Sequence, residues 1–213
     1  MKRFALALIS PFVALFFPIS IFSQVAGTPG FAVVDDFSST ETDLPLNSKV
    51  HKTAQWIIAP GSFLANGNST GAPAGVGRIG AVYFQIGAVA NPNEIYEGFS
   101  VKMGQPYALS QATDLLMGEF VEGLSQVHYS PSFVPIGAQP GAYLQVPVQG
   151  NFIYDPSRPL VVEISSSTGL GNTLRLNAGT GIKQIWNGGN QSSSNLLRMG
   201  VDLVPALSNP LAP

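Results

Sequence analysis

Carboxylates and histidines are the side chains of this sequence with the chemistry for catalysis, and they are few. Twelve acids and two histidines, His51 and His128, occur among 213 residues, and cysteine is absent. A glycoside hydrolase needs two carboxylates that face each other across a cleft, and a catalytic histidine needs a nucleophile and an orienting acid. The chain contains no Gly-x-Ser-x-Gly elbow and no His-Glu-x-x-His pair. We therefore predict no catalytic residue and rank a hydrolase last.

Glu163 is the acid whose surroundings are easiest to interpret, in the stretch YDPSRPLVVEIS (154–165). Residues 155–158, DPSR, have the chemistry of a tight turn, and Pro159 suits the first residue of a strand. Alternation along residues 160–164 places Glu163 on the more polar face of that strand. We expect a structural acid, with which an arginine could pair. The candidate partners are Arg78, Arg158, Arg175 and Arg198.

The densest acidic stretch is VVDDFSSTETD, which includes Asp35, Asp36, Glu41 and Asp43. Hard cations such as Ca²⁺ take oxygen ligands from loops of this composition, but the spacing does not match an EF-hand. The mismatch favours a solvated segment. Ca²⁺ near Asp35 and Asp36 stays the weaker alternative, and we predict no cofactor.

Tryptophan raises the separate question of sugar binding, because aromatic rings stack on pyranose rings in carbohydrate-binding β-sandwiches. Trp186 is followed by the polar stretch NGGNQSSSN, so the candidate ligand-binding residues are Trp186, Asn187 and Asn190. Trp56 has apolar neighbours in AQWIIA and is expected in the core. A core position is also the leading expectation for Trp186.

The elements that would position these side chains are short strands. Glycine and proline number 23 and 17, and charged residues make up 10% of the chain, which favours many strands joined by turns. We predict an all-β fold, a single jelly-roll-like antiparallel β-sandwich of about nine strands. Residues 108–117 could form one short helix, and loops are expected at 60–76 and 187–195. The predicted strands lie near 50–59, 77–89, 98–103, 119–129, 142–154, 159–165, 173–178, 182–187 and 196–204.

Alternation within the strand at 196–204 predicts its orientation. Leu197, Met199 and Val201 share one face, and Arg198 and Asp202 share the other. This is the pattern of a sheet with one dry face. We therefore expect Arg198 and Asp202 to point outward.

The N-terminus has the pattern of a secretory signal peptide. Lys2 and Arg3 precede an apolar run that ends near Ser23, so we expect a signal at 1–23, a β-sandwich domain at 24–204 and a flexible tail at 205–213. The chain without the signal carries eight basic and twelve acidic residues. This weakly acidic balance argues against nucleic acid as a partner. No later stretch is apolar enough to span a bilayer.

A set of motifs in a fixed order resembles a family of uncharacterised secreted bacterial β-sandwich proteins. The motifs are KTAQWIIAPGSF, GRIGAVYFQIG, FSVKMGQ, NFIYDPSRPLVVEIS and SNLLRMGVDLV, between residues 52 and 204. Some members of that family carry a C-terminal Pro-Glu-Pro sorting segment, whereas this chain ends VPALSNPLAP. The resemblance implies the fold and a secreted or periplasmic location, and it brings no catalytic residues.

These observations together predict an exported, non-catalytic structural or interaction module. The alternative is a carbohydrate-binding module that uses Trp186 and the neighbouring loop amides. The expected partner is a protein or a polysaccharide at the cell exterior. We expect no nucleic acid as a partner, and no membrane association after removal of the signal.

Overall fold

The fold is all-β and consists of antiparallel strands. The computed structural model describes residues 26–34, 40–89, 91–107, 120–136, 138–168, 170–177, 183–186, 191–193 and 195–204. The regular elements in these ranges are sixteen strands. They are β1 (Ala26–Gly27), β2 (Phe31–Val33), β3 (Thr40–Thr42), β4 (Thr53–Ile58), β5 (Phe63–Ala65), β6 (Gly77–Val89), β7 (Tyr96–Gly104), β8 (Ser125–Phe133), β9 (Tyr143–Pro147), β10 (Ile153–Tyr154), β11 (Leu160–Ser165), β12 (Asn172–Asn177), β13 (Lys183–Trp186), β14 (Gln191–Ser193), β15 (Leu196–Leu197) and β16 (Met199–Val204). The predicted all-β class is confirmed.

The strands form two sheets. Six strands make the smaller sheet in the order β14-β13-β4-β11-β7-β8, and ten strands make the larger, curled sheet around the path β1-β9-β6-β16-β2-β5. β6 is the longest strand and pairs with β9, β16, β10 and β12. This arrangement is consistent with the predicted β-sandwich, in which two sheets bury one face each.

The strands are more numerous than predicted because several are short. The expected strand at 142–154 divides into β9 and β10, and the expected loop at 60–76 contains β5. A strand of two or three residues forms because it pairs with a neighbouring strand. It is too short to show the alternation of apolar and polar residues by which a strand is predicted. The expected strand at 119–129 begins later, at Ser125.

The core lies between the two sheets. Trp56, Phe99 and Val162 contribute to it from the smaller sheet, and Val82 and Met199 from the larger. All five are buried, and the core prediction for Trp56 is confirmed. The smaller sheet therefore turns alternate residues of β4, β7 and β11 inward, which leaves the residues between them on its outer face.

The structure contradicts one orientation predicted from alternation. Arg198 is only 3% exposed, and its Nε donates a hydrogen bond to Asn177 Oδ1 at 2.5 Å. Arg198 lies between β15 and β16, where the strand is interrupted, so the alternation read across 196–204 does not hold there. Asp202 accepts hydrogen bonds from the Tyr83 hydroxyl and the Gly30 amide.

On the edge strand β8, a side chain forms the hydrogen bonds that a neighbouring strand would otherwise make with the main chain of Tyr129. The Tyr129 amide donates to Gln149 Oε1 at 3.2 Å, and Gln149 Nε2 donates to the Tyr129 carbonyl at 3.4 Å. Pro131, in the same strand, has no N–H to offer. Both features limit pairing with another chain at this edge.

Several predicted segments lie outside the described residues. These are the signal at 1–23, the helix at 108–117 and the tail at 205–213. Within the described ranges, no helix has the length and apolar character needed to cross a membrane.

Candidate ligand-binding groove on the six-stranded sheet

Three polar side chains form a row across the outer face of the smaller sheet. The register places Glu163 of β11 between Gln55 of β4 and Lys102 of β7. Lys102 Nζ lies 2.8 Å from Glu163 Oε1, and Gln55 Nε2 donates to Glu163 Oε2 at 2.7 Å. Both carboxylate oxygens are therefore engaged. Glu163 and Gln55 are buried, whereas the Lys102 side chain is 38% exposed.

A segment that precedes β8, residues 120–124, lies over this face and is hydrogen-bonded to the row. The Val121 amide donates to Gln55 Oε1 at 2.8 Å, and Gln55 Nε2 donates to the Val121 carbonyl at 3.0 Å. Val121 also packs on a small apolar cluster with Ile57, Val161 and Ile185. The sheet thus has a second, minor core on its outer face, and the segment rests on it.

The space beside this segment is a groove. Its larger part has a volume of about 440 Å³. A neighbouring hollow of about 230 Å³ shares residues 121–124 as lining. The lining of the larger part is Gln55, Lys102, Phe120, Val121, Glu122, Gly123, Leu124 and Glu163. We call the two parts together the outer groove. Its lining offers carboxylate, ammonium and amide groups beside apolar surface, as ligand sites commonly do.

An exposed tyrosine stands at the far end of the outer groove. Tyr107 lines the smaller hollow with Gly104, Gln105 and Pro106, and it is 83% exposed. The guanidinium carbon of Arg158 lies 4.5 Å from the centre of its ring. Arg158 is itself held, because its side chain donates to the carbonyls of Gln105 and Pro106.

The turn predicted from DPSR supports this end of the groove. Asp155 Oδ1 accepts hydrogen bonds from the Ser157 amide and hydroxyl, and these bonds lower the pKa of Asp155. Gln105 Nε2 donates to the Asp155 carbonyl at 2.8 Å, and the Asp155 amide donates to Gln105 Oε1 at 2.9 Å. The turn therefore positions the segment that carries Tyr107.

Glu163 is a structural acid in part, but its predicted arginine partner was wrong. Its partner is Lys102, which faces it across the β7–β11 pairing. Among the expected partners, Arg158 instead lies over Tyr107. The sequence could not indicate the pair, because it depends on the register of β4, β11 and β7. Glu163 also lines the outer groove.

The structure does not bring Trp186 to the outer groove. Trp186 lies opposite Ala54 in the β13–β4 pairing, and its partly buried ring packs against the core between the sheets. Asn187 and Asn190, the other two sequence candidates, lie outside the described residues. The groove residues Lys102, Glu122 and Tyr107 were not predicted as a site.

His128 lies in the core, away from the outer groove. It is 1% exposed, and its ring packs edge-on against Phe99 and Phe133. Its Nδ1 lies 2.9 Å from the Pro147 carbonyl oxygen, which can only accept, so Nδ1 carries the proton. Nε2 is buried and has no partner within the described part of the chain. Burial lowers the pKa of His128, which keeps the ring neutral.

We expect this histidine to make the fold less stable in mild acid. Because the pKa of His128 is lower in the folded than in the unfolded chain, the unfolded chain binds more protons as the pH falls below about 6.5. Its contribution is fully present above that pH and is lost progressively below it. Urea unfolding at pH 7.5, 6.5 and 5.5 measures the slope. In His128→Phe the slope over this window should flatten, and an unchanged slope would contradict the assignment.

The proposed calcium position cannot be placed. Asp35 and Asp36 lie outside the described residues. Among the residues that the structure describes, no group of three or more acids or histidines is arranged to hold a metal ion.

The function of this protein must be inferred from its own geometry. Comparison of the chain with protein-family models, with curated proteins and with solved structures finds no match in any of the three, and its motif resemblance to secreted bacterial β-sandwich proteins stays a prediction.

Proposed function

We propose that this protein is an exported, non-catalytic interaction module whose binding surface is the outer groove. The observation that carries the proposal is the row Gln55–Glu163–Lys102, which combines buried polar groups with a partly exposed ammonium beside a hollow of about 440 Å³. Buried polar groups are costly unless they are bonded. Here they are fixed by each other and by the Val121 backbone, as a preformed binding site requires.

The bonding of Glu163 supports a role in binding. One of its oxygens contacts Lys102 and the other accepts from Gln55. Both oxygens are thus held by protein groups, whereas a general acid or base must reach the reacting atom. The second carboxylate of the groove belongs to Glu122, which is exposed. His128 is enclosed by aromatic rings in the core.

The proposal of export rests on the sequence. The apolar run after Lys2 and Arg3 has the composition of a secretory signal. The absence of cysteine leaves the fold dependent on its apolar core in any compartment.

Replacing Lys102 by methionine tests the binding surface. The substitution keeps the length of the side chain and removes the ammonium that faces both Glu163 and the groove. The wild-type and variant full chains are probed in parallel on a glycan array and a peptide array. We expect the variant to bind about tenfold more weakly to the class of ligand that the wild type binds. Incubated glycans and peptides should show no cleavage.

Lys52→Met is the matched control. Lys52 precedes β4 and does not line the outer groove, so its removal changes the net charge equally. Binding that both variants lose to the same extent would reflect net charge and would contradict a groove site. Cleavage of a glycan that disappears in Glu122→Gln or Glu163→Gln would contradict the non-catalytic assignment and favour a hydrolase.

One observation favours a carbohydrate-binding module as the specific kind of interaction module. The exposed ring of Tyr107 at the end of a polar groove is the arrangement that sugar binding needs. This places the candidate site away from Trp186, Asn187 and Asn190.

A further inference from the structure

We infer that the outer groove binds a neutral oligosaccharide, with the Tyr107 ring as the platform on which one sugar unit stacks. The inference rests on the proposed function and names the class of ligand. It combines three features of the groove: an exposed and oriented aromatic ring, a set of donors and acceptors, and a small excess of negative charge.

Tyr107 is oriented before any ligand arrives. An exposed tyrosine normally loses side-chain freedom on binding, at a cost to affinity. The Arg158 guanidinium lies over the ring at 4.5 Å, and Arg158 is anchored on the carbonyls of the two residues that precede Tyr107. A cation over one side of the ring holds it in place, and with 83% of the residue exposed, the ring is accessible to a ligand.

The polar lining suits hydroxyl groups. A sugar hydroxyl both donates and accepts, so a site for it needs donors and acceptors side by side. Lys102 Nζ has three N–H donors, and its contact with Glu163 leaves this partly exposed group with donors for a ligand. Glu122 supplies carboxylate acceptors in the same groove. Vicinal hydroxyls can therefore bridge the ammonium and a carboxylate.

The charge of the lining selects against anionic ligands. Lys102 and Glu163 pair with each other in the larger part, so Glu122 is the remaining charged residue of its lining, and Arg158 lines neither part. A phosphate or uronate placed there would meet the Glu122 carboxylate while the Lys102 ammonium is already engaged, which opposes binding. Neutral sugars do not incur this repulsion.

The two-part shape of the groove indicates more than one sugar unit. Lys102 lines the larger part and Tyr107 lines the smaller part, and the two parts adjoin along residues 121–124. A sugar ring stacked on Tyr107 therefore lies in a different part of the groove from the Lys102–Glu163 pair, and linked rings are needed to occupy both parts. We therefore assign an oligosaccharide.

Isothermal titration of the full chain with defined hexasaccharides tests the inference. The neutral probes are cellohexaose, xylohexaose, mannohexaose and laminarihexaose, and the anionic probe is hexagalacturonate. We expect wild type to bind at least one neutral probe and to bind it more tightly than the anionic one. Tyr107→Ala should weaken that binding by about tenfold or more. Tyr107→Phe keeps the ring and should recover most of the affinity.

Tyr129→Ala is the matched control. Tyr129 is also exposed and belongs to the same sheet, but it lies on the edge strand and does not line the groove. Its removal should leave sugar binding unchanged, and thermal melting should show each variant folded. Equal losses in Tyr107→Ala and Tyr129→Ala, or tighter binding of hexagalacturonate, would overturn the inference.

Failure of the inference can be told apart from failure of the proposed function. If no hexasaccharide binds but Lys102→Met abolishes binding to a peptide on the array, the ligand class is wrong and the groove is still a binding surface. If neither class binds through Lys102, both proposals are wrong.

Discussion

Gln55→Ala is expected to lower the free energy of unfolding by about 3 kcal/mol. The substitution leaves the Val121 amide and carbonyl without their partners and removes a donor from the buried Glu163 carboxylate. Each buried polar group that loses its partner costs about 1–3 kcal/mol. Water that enters beside segment 120–124 recovers part of this cost, so the sum stays below the maximum. Urea unfolding at pH 7.5 measures the change.

Gln126→Ala provides the comparison for this loss. Gln126 is an exposed residue of β8 that faces Lys102 in the β7–β8 pairing. Its replacement by alanine also removes a glutamine side-chain amide from the smaller sheet. We expect a change within about 0.5 kcal/mol. A similar loss in both variants would mean that the paired amide of Gln55 has no special role. Gln55→Ala should also abolish ligand binding at the outer groove, because segment 120–124 forms one of its walls.

Gly200→Ala is expected to destabilise the fold by about 3 kcal/mol through steric overlap. Gly200 lies in β16 between Ala32 of β2 and Tyr83 of β6. A Cβ added there would lie 2.8 Å from the Phe31 carbonyl oxygen and closer still to ring carbons of Pro29. A backbone oxygen and a proline ring cannot rotate away, so the strand pairing must shift. Thermal melting should show the loss as a lower Tm.

Gly75→Ala adds the same methyl group in open space. An added Cβ at Gly75 meets no atom within 4 Å, and we expect a change within about 0.5 kcal/mol. Should Gly200→Ala melt at the wild-type temperature, the close approach of Pro29 to β16 would be wrong.

The sequence predicts the long strands of this fold well, because each of them carries a recognisable residue pattern within its own length. The expected strands at 77–89 and 159–165 correspond to Gly77–Val89 and Leu160–Ser165. Both are rich in β-branched and aromatic residues and are bounded by turn residues, so their pattern can be read without knowing their neighbours. Short strands such as β5 and β14 depend on pairing, and they fell within expected loops.

The outer groove could not be predicted in the same way. Residues 120–124, FVEGL, fall within the strand expected at 119–129, and no local pattern there distinguishes a strand from a segment that rests on the outer face of a sheet. The contact between Glu163 and Lys102 needs the register of β7 against β11. Tyr107 becomes notable only because Arg158, distant in sequence, lies over it. These relations are tertiary.

Gln55, Gln105 and Gln149 share one mode of attachment. Each glutamine amide both donates to and accepts from the main chain of a single residue, Val121, Asp155 or Tyr129. A main-chain N–H and C=O are present whatever side chain the attached residue carries, proline excepted. Substitutions at residues such as Glu122 and Leu124 can therefore change the lining of the groove while the attachment of the segment persists.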